Sequence, residues 1–182
     1  MKRSAYNILT IIDKIHAKTG EYPGKKKLQK LVYLIEEMGG VDFNYEYDIH
    51  FYGVYSEDVD NHLTKLLAEY FVFVKFYKQS HLICISDEGR QIWKEDAEAD
   101  RFFINDLKDD EIEKIDHIIG EFAEKSPLEL ELLTTVHYAA SLLEEKEDRT
   151  DDAVLQLVKK IKGDKFEDDD ILRDILYINK HQ

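Results

Sequence analysis

The chain has 182 residues, with 25 Lys and Arg against 39 Asp and Glu, a formal net charge of −14 and 43% hydrophobic residues. That length can bury a sizeable interior, as one domain or two small lobes, and that composition excludes a disordered tail. No run of about 18 apolar residues occurs to span a bilayer, and the single cysteine, Cys84, excludes an internal disulfide and a cysteine zinc cluster. The opening residues lack a signal-peptide pattern, so a cytoplasmic protein with no cofactor and no membrane partner is expected.

The charge is uneven. Residues 1–86 contain 11 Lys/Arg and 11 Asp/Glu, whereas residues 87–182 contain 14 and 28. A polyanion would be repelled by the second half. An acidic surface also keeps a protein soluble, which explains the excess without a function.

In chain order, Ser4 to Lys18 reads as a helix, with Ile8, Leu9, Ile11, Ile12 and Ile15 spaced for one face and Gly20 and Pro23 as stops. Lys25 to Met38 reads as a second helix, ended by Gly39-Gly40. Phe43, Tyr45, Tyr47, Ile49 and Phe51 then alternate with polar residues, which predicts a strand with one aromatic face. After Gly53, Ser56 caps a third helix from Glu57 to about Tyr70. Phe71–Tyr77 and His81–Ile85 form a β-rich pair around a turn of about three residues. Ser86 opens a helix running to about Ala99.

The remainder reads as helical, over Asp109–Glu124, Pro127–Glu144, Asp151–Ile161 and Asp168–Lys180. Ser126, Pro127 and Glu129 make the clearest helix start. The expected fold is α+β, mostly α: a winged-helix-like part at 1–103 with a small antiparallel sheet, and an acidic helical extension at 104–182 packed on it as one unit. A soft division falls near Phe103–Asp109.

Two segments resemble a known family. Lys27-Leu28-Gln29-Lys30-Leu31-Val32-Tyr33-Leu34 resembles the K-L-x-K-L-x-Y-L helix of the Panacea family, the SocA-like phage-associated antitoxins, and of YwgA-type bacterial proteins. Phe51-Tyr52-Gly53-Val54-Tyr55-Ser56 resembles the family's aromatic-Tyr-Gly-Pro-Tyr-Ser segment, with Val54 in place of proline. Ser86-x-x-Gly89 is similar to its Thr-x-x-Gly step, and Thr134-Thr135-Val136-His137-Tyr138 to the YwgA-type proteins. The resemblance implies a non-enzymatic module, neutralising a toxin by protein contact in some relatives.

The residue chemistry points the same way. No histidine pair has metal-ligand spacing, no phosphate or dinucleotide glycine loop occurs, and Asp168–Asp170 lacks a calcium-loop pattern. His137 reads as a core or boundary residue, and Cys84 as a small buried hydrophobe. Lys25, Lys26, Lys27 and Lys30 form a basic cluster that Lys65, Lys75 and Lys78 could join; a solvated helix face is the plainer reading.

A winged helix reads DNA with the start of its third helix. Here that start carries Glu57, Asp58 and Asp60, so nucleic acid is disfavoured. The expected working surface is Lys27, Lys30 and Tyr33 with the bend Tyr52, Gly53 and Tyr55, contacting a protein partner such as a toxin or another basic protein. The alternative is a DNA-binding regulator, dimeric through the C-terminal helices, where Ile171, Leu172, Ile175 and Leu176 make an apolar stripe suited to dimerisation or to docking on the core.

Overall fold

The apolar stripes of the sequence become buried helix faces in the computed structural model, which describes residues 4–91, 106–144 and 148–181. In chain order the elements are α1 (Tyr6–Thr19), α2 (Lys25–Glu37), β1 (Asp48–His50), β2 (Gly53–Tyr55), α3 (Glu57–Ala68), β3 (Val72–Tyr77), β4 (Ser80–Ile85), α4 (Asp109–Phe122), α5 (Pro127–Glu144), α6 (Asp151–Lys162), a 3-10 turn (Gly163–Lys165) and α7 (Asp168–Asn179). The architecture is α+β and mostly α, with two small antiparallel sheets, β1–β2 and β3–β4. Among the described residues no helix is long and apolar enough to cross a membrane.

The chain forms two compact units: residues 1–47 with 56–124, and residues 48–55 with 125–182. In the first, α1 buries Ile8, Leu9, Ile11, Ile12 and Ile15, and α2 buries Leu28, Leu31, Val32, Leu34 and Ile35. α3 packs on α1, and α4 packs on both α1 and α2. The β3–β4 hairpin turns through Lys78 and Gln79, both at positive φ. Its second strand bridges Leu82 to Gly24, with the Ile83 N–H donating to the Pro23 carbonyl at 2.9 Å. Helix, bridge, helix, helix and wing is the winged-helix order expected for this part.

Three expectations are corrected. The predicted strand Phe43–Phe51 shrinks to Asp48–His50, and that piece pairs with Gly53–Tyr55, apart from the wing. Side-chain carboxylates take the donors that a ladder would have used. Glu36 Oε1 accepts the N–H groups of Phe43 (2.9 Å) and Tyr45 (3.3 Å), Asp42 accepts from Asn44 (2.8 Å), and Asp58 accepts from Glu46 (3.2 Å). Asn44 also sits at φ 58°, which breaks the pleat. The alternation survives as burial alone: Phe43 and Tyr45 are inside, Asn44 and Glu46 outside. Phe51, expected on the packed face, is 82% exposed.

The second correction is the boundary. The division expected at 103/104 falls at 124/125, because α4 buries Ile115, Ile118, Ile119 and Phe122 within the first unit. The single unit expected is therefore two, and 48–55 belongs to the second. Third, the wing turn has two residues where about three were expected. Of the helix expected from Ser86 to Ala99, residues 87–91 are helical and the rest lies outside the described residues.

Ser86 and Gly89 join that helical turn to the wing. The Ser86 hydroxyl donates to the Tyr70 carbonyl at 2.6 Å and accepts the Gly89 N–H at 2.8 Å. A Cβ at Gly89 would meet the Phe71 carbonyl oxygen at 2.5 Å and its Cα at 2.7 Å, both backbone atoms that cannot swing aside. Gly89→Ala is therefore expected to cost about 1–3 kcal/mol of stability, measurable as a lower urea midpoint at unchanged slope.

In the second unit α5, α6 and α7 pack pairwise, and β2 lies on α5. α5 opens with the expected capping box: the Ser126 N–H donates to Glu129 at 2.8 Å and the Glu129 N–H to Ser126 Oγ at 3.2 Å. α6 is capped by Thr150, which accepts from the Ala153 N–H at 3.1 Å. α7 buries Ile171, Ile175 and Ile178.

Candidate interaction surface

The bend between β1 and β2 is a two-residue turn, with His50 opposite Gly53 and Phe51-Tyr52 at its tip. Gly53 holds φ 91°, a conformation open to glycine at low cost. It is buried, so its contribution is backbone shape rather than contact. Val54 behind it is fully buried. The tip rings are left outside: Phe51 is 82% and Tyr52 50% exposed, edge to face with centroids 5.0 Å apart.

A buried charge cluster fixes this turn. Lys162, from the end of α6, donates to the carbonyls of Phe51 (3.1 Å) and His50 (3.4 Å) and to Glu131 Oε1 (2.9 Å). Lys165, from the 3-10 turn, donates to the same Glu131 oxygen at 2.7 Å. The Lys162 and Glu131 side chains are both almost completely enclosed. Burial alone would raise the Glu131 carboxyl, but the hydrogen bonds and charges of Lys165 and Lys162 outweigh it and hold it below the usual range. Two cations on one carboxylate keep the site ionised, and the spare Lys162 protons clamp the turn carbonyls.

Of the other expected contact residues, Lys27, Lys30 and Tyr33 lie on α2 in the first unit and Tyr55 on β2 in the second. Lys27 is half-buried, while Lys30 and Tyr33 are 3% and 2% exposed. The Tyr33 ring meets Tyr47 edge to face at 5.0 Å. Tyr47 donates to Glu36 Oε2 at 2.8 Å, and burial raises the Glu36 carboxyl despite the hydrogen bonds it accepts. Tyr55 is half-buried against His50, with rings 4.7 Å apart. Of the six residues expected to form one surface, Tyr52 alone is substantially exposed. The lysines of the basic cluster have separate surroundings: Lys25 pairs with Asp60, Lys65 lies over the Tyr6 ring at 5.0 Å, and Lys78 over Tyr77 at 5.1 Å.

Sequence reasoning missed two features. Gln29 sits on the buried face of α2 and forms a reciprocal pair with the Ser56 backbone: Nε2 donates to the carbonyl and Oε1 accepts the N–H, both at 3.0 Å. A polar residue between Leu28 and Leu31 on an inward face was the available signal. The second is the wing, where Phe73, Val74, Phe76 and Tyr77 are each about half exposed or more. His137 is buried as expected. Burial, with the charge of Arg149 and against that of Glu144, pulls its pKa down to about 4, so it is neutral at pH 7. Among the described residues no group of three or more His, Cys, Asp or Glu could hold a metal ion.

No protein-family model matches the chain. Over 53 residues, 29% of its length, the chain is 42% identical to the uncharacterised protein YwgA of Bacillus subtilis (strain 168). That stretch spans 31% of the relative, so the likeness to YwgA-type proteins is one of a segment.

Proposed function

We propose that this chain is a cytoplasmic, non-enzymatic regulator that acts by gripping another protein through the Phe51-Tyr52 tip. The observation that supports it is a pair of large aromatic side chains left in solvent on a turn whose backbone is clamped by Lys162. Rings presented on a fixed backbone lose little entropy on binding, which is the usual make-up of an interface anchor. The net charge of −14 favours a basic partner and a salt-sensitive association rate. A toxin is such a partner on the antitoxin-like reading that the Panacea resemblance supplies.

Co-purification from native extract tests this with tagged wild type and a Phe51→Ala/Tyr52→Ala variant. The variant is expected to lose a protein that wild type retains, and a recovered partner should bind it roughly 30-fold or more weakly. Identical protein sets from both would sink the proposal. The second reading is a DNA-binding regulator, favoured by the winged-helix order and the lysines of the wing. It is opposed by Glu57, Asp58 and Asp60 at the start of α3. Salt-dependent retardation of the gene's own upstream DNA would decide for it.

A further inference from the structure

The sequence left open whether the stripe on α7 docks on the core or pairs with a partner; its two halves do different things. Ile171, Ile175 and Ile178 are buried at 1–2% exposure, whereas Leu172 and Leu176 stay 37% and 56% exposed. The exposed pair lies one turn apart in the middle of a shallow groove of about 610 Å³. Asp169 stands at one end of that groove and Lys180 at the other, with Arg173 and Tyr177 alongside. Among the described residues, neither Asp169 nor Lys180 has an ion pair.

We infer that this face pairs with the same face of a second copy, the two α7 helices running antiparallel about a two-fold axis. The charge pattern selects that occupant. The centre of the face carries Leu172 and Leu176 with Arg173 beside them, whose charge is matched within the helix by Asp170 at 2.7 Å and Asp174 at 3.3 Å. The unmatched charges, acidic at the first turn and basic at the last, make the face complementary to itself only when reversed. Leu172 of each copy then meets Leu176 of the other, and Asp169 of each comes within reach of Lys180 of the other. Antiparallel macrodipoles add to the pairing. Parallel pairing would put Asp169 on Asp169 and Lys180 on Lys180. An isologous contact closes on itself, so the assembly stops at two. One helix face buries less than about 1,200 Å², which sets a concentration-dependent equilibrium rather than a permanent dimer.

Sedimentation velocity over a wide concentration range tests the pairing, with circular dichroism to check folding. Wild type is expected to shift from monomer to dimer. Leu172→Glu/Leu176→Glu should weaken association roughly tenfold or more, because it places four carboxylates in the seam. Asp169→Lys alone should weaken it roughly three- to tenfold, and adding Lys180→Glu should restore it to within about twofold, since the swapped charges again face each other. A chain that stays monomeric throughout, a dimer indifferent to Leu172→Glu/Leu176→Glu, or a charge swap that fails to rescue would each overturn the inference. It does not depend on the aromatic tip: Phe51→Ala/Tyr52→Ala should leave self-association unchanged.

Discussion

Replacing Glu131 by Gln is expected to destabilise the protein by about 3–5 kcal/mol, because it strands a buried ammonium without a counter-charge. Lys162 is 3% exposed at its side chain, and among the described residues its anionic partner is this one carboxylate, shared with Lys165. Lys165, a third exposed, can turn to water; Lys162 cannot. The effect should be non-additive. Lys162→Met leaves Glu131 with Lys165 and should cost less than Glu131→Gln. Glu131→Leu with Lys162→Met removes both buried charges and should recover much of the loss. Urea unfolding of the three variants gives the ordering, and equal losses in all three would show that the cluster is not what holds this region. The turn responds too: without the lysine, the Phe51 and His50 carbonyls lose their donor, so the β1–β2 amides should exchange faster. Since the Glu131 carboxyl is held below its ordinary range, its contribution is complete above the unfolded value and is lost as pH falls through the lowered one.

The second large effect is at His137. With a folded pKa of about 4 against 6.5, the unfolded chain binds the proton more readily throughout that window. Stability from this residue is full above pH 6.5 and is lost as pH falls toward 4. Between about pH 7.5 and about pH 5 the loss should be about 2 kcal/mol. Arg149 and Glu144 are the charges acting on the ring, and they pair with each other at 3.1 Å, so their opposed effects largely cancel and burial dominates. His137→Gln should flatten the stability profile in this window by that amount while lowering stability at pH 7. A profile as steep as wild type would show that His137 is not the group responsible.

Helix positions were legible because burial follows a 3.6-residue period whatever surrounds the helix. Six of the seven helices discussed begin within one residue of the expected position, and Ser126 with Glu129 capped α5 as anticipated. The stretch Phe43–Tyr47 was misread for an instructive reason. Period-two alternation reports which side chains go inside, and a strand is only one way to achieve that. Carboxylates at Glu36, Asp42 and Asp58 supply the alternative, the first two lying before the stretch and the third after it. The expected surface failed in a similar way. Lys30 and Tyr33 look like exposed recognition residues because one is charged and both are large, yet both are buried. The helix motif that carries the resemblance thus supplies mainly core and a backbone clamp, Gln29 on Ser56. Tyr52 was legible, since a glycine after two aromatics marks a turn that turns them outward. The Glu131 cluster was not, because nothing in the local pattern joins positions 31 and 34 residues apart.

The insertion of residues 48–55 into the second unit has a consequence for dissecting the protein. A fragment starting at Lys125 would contain every helix of that unit but lack β2, which packs on α5, and the His50 and Phe51 carbonyls that Lys162 clamps. Such a piece would expose an apolar helix face and leave a lysine short of acceptors, so it should be prone to precipitate when expressed alone. The ribosome faces the same order of events: the hairpin emerges roughly seventy residues before the helices it completes, so this unit cannot finish folding until α7 has been made.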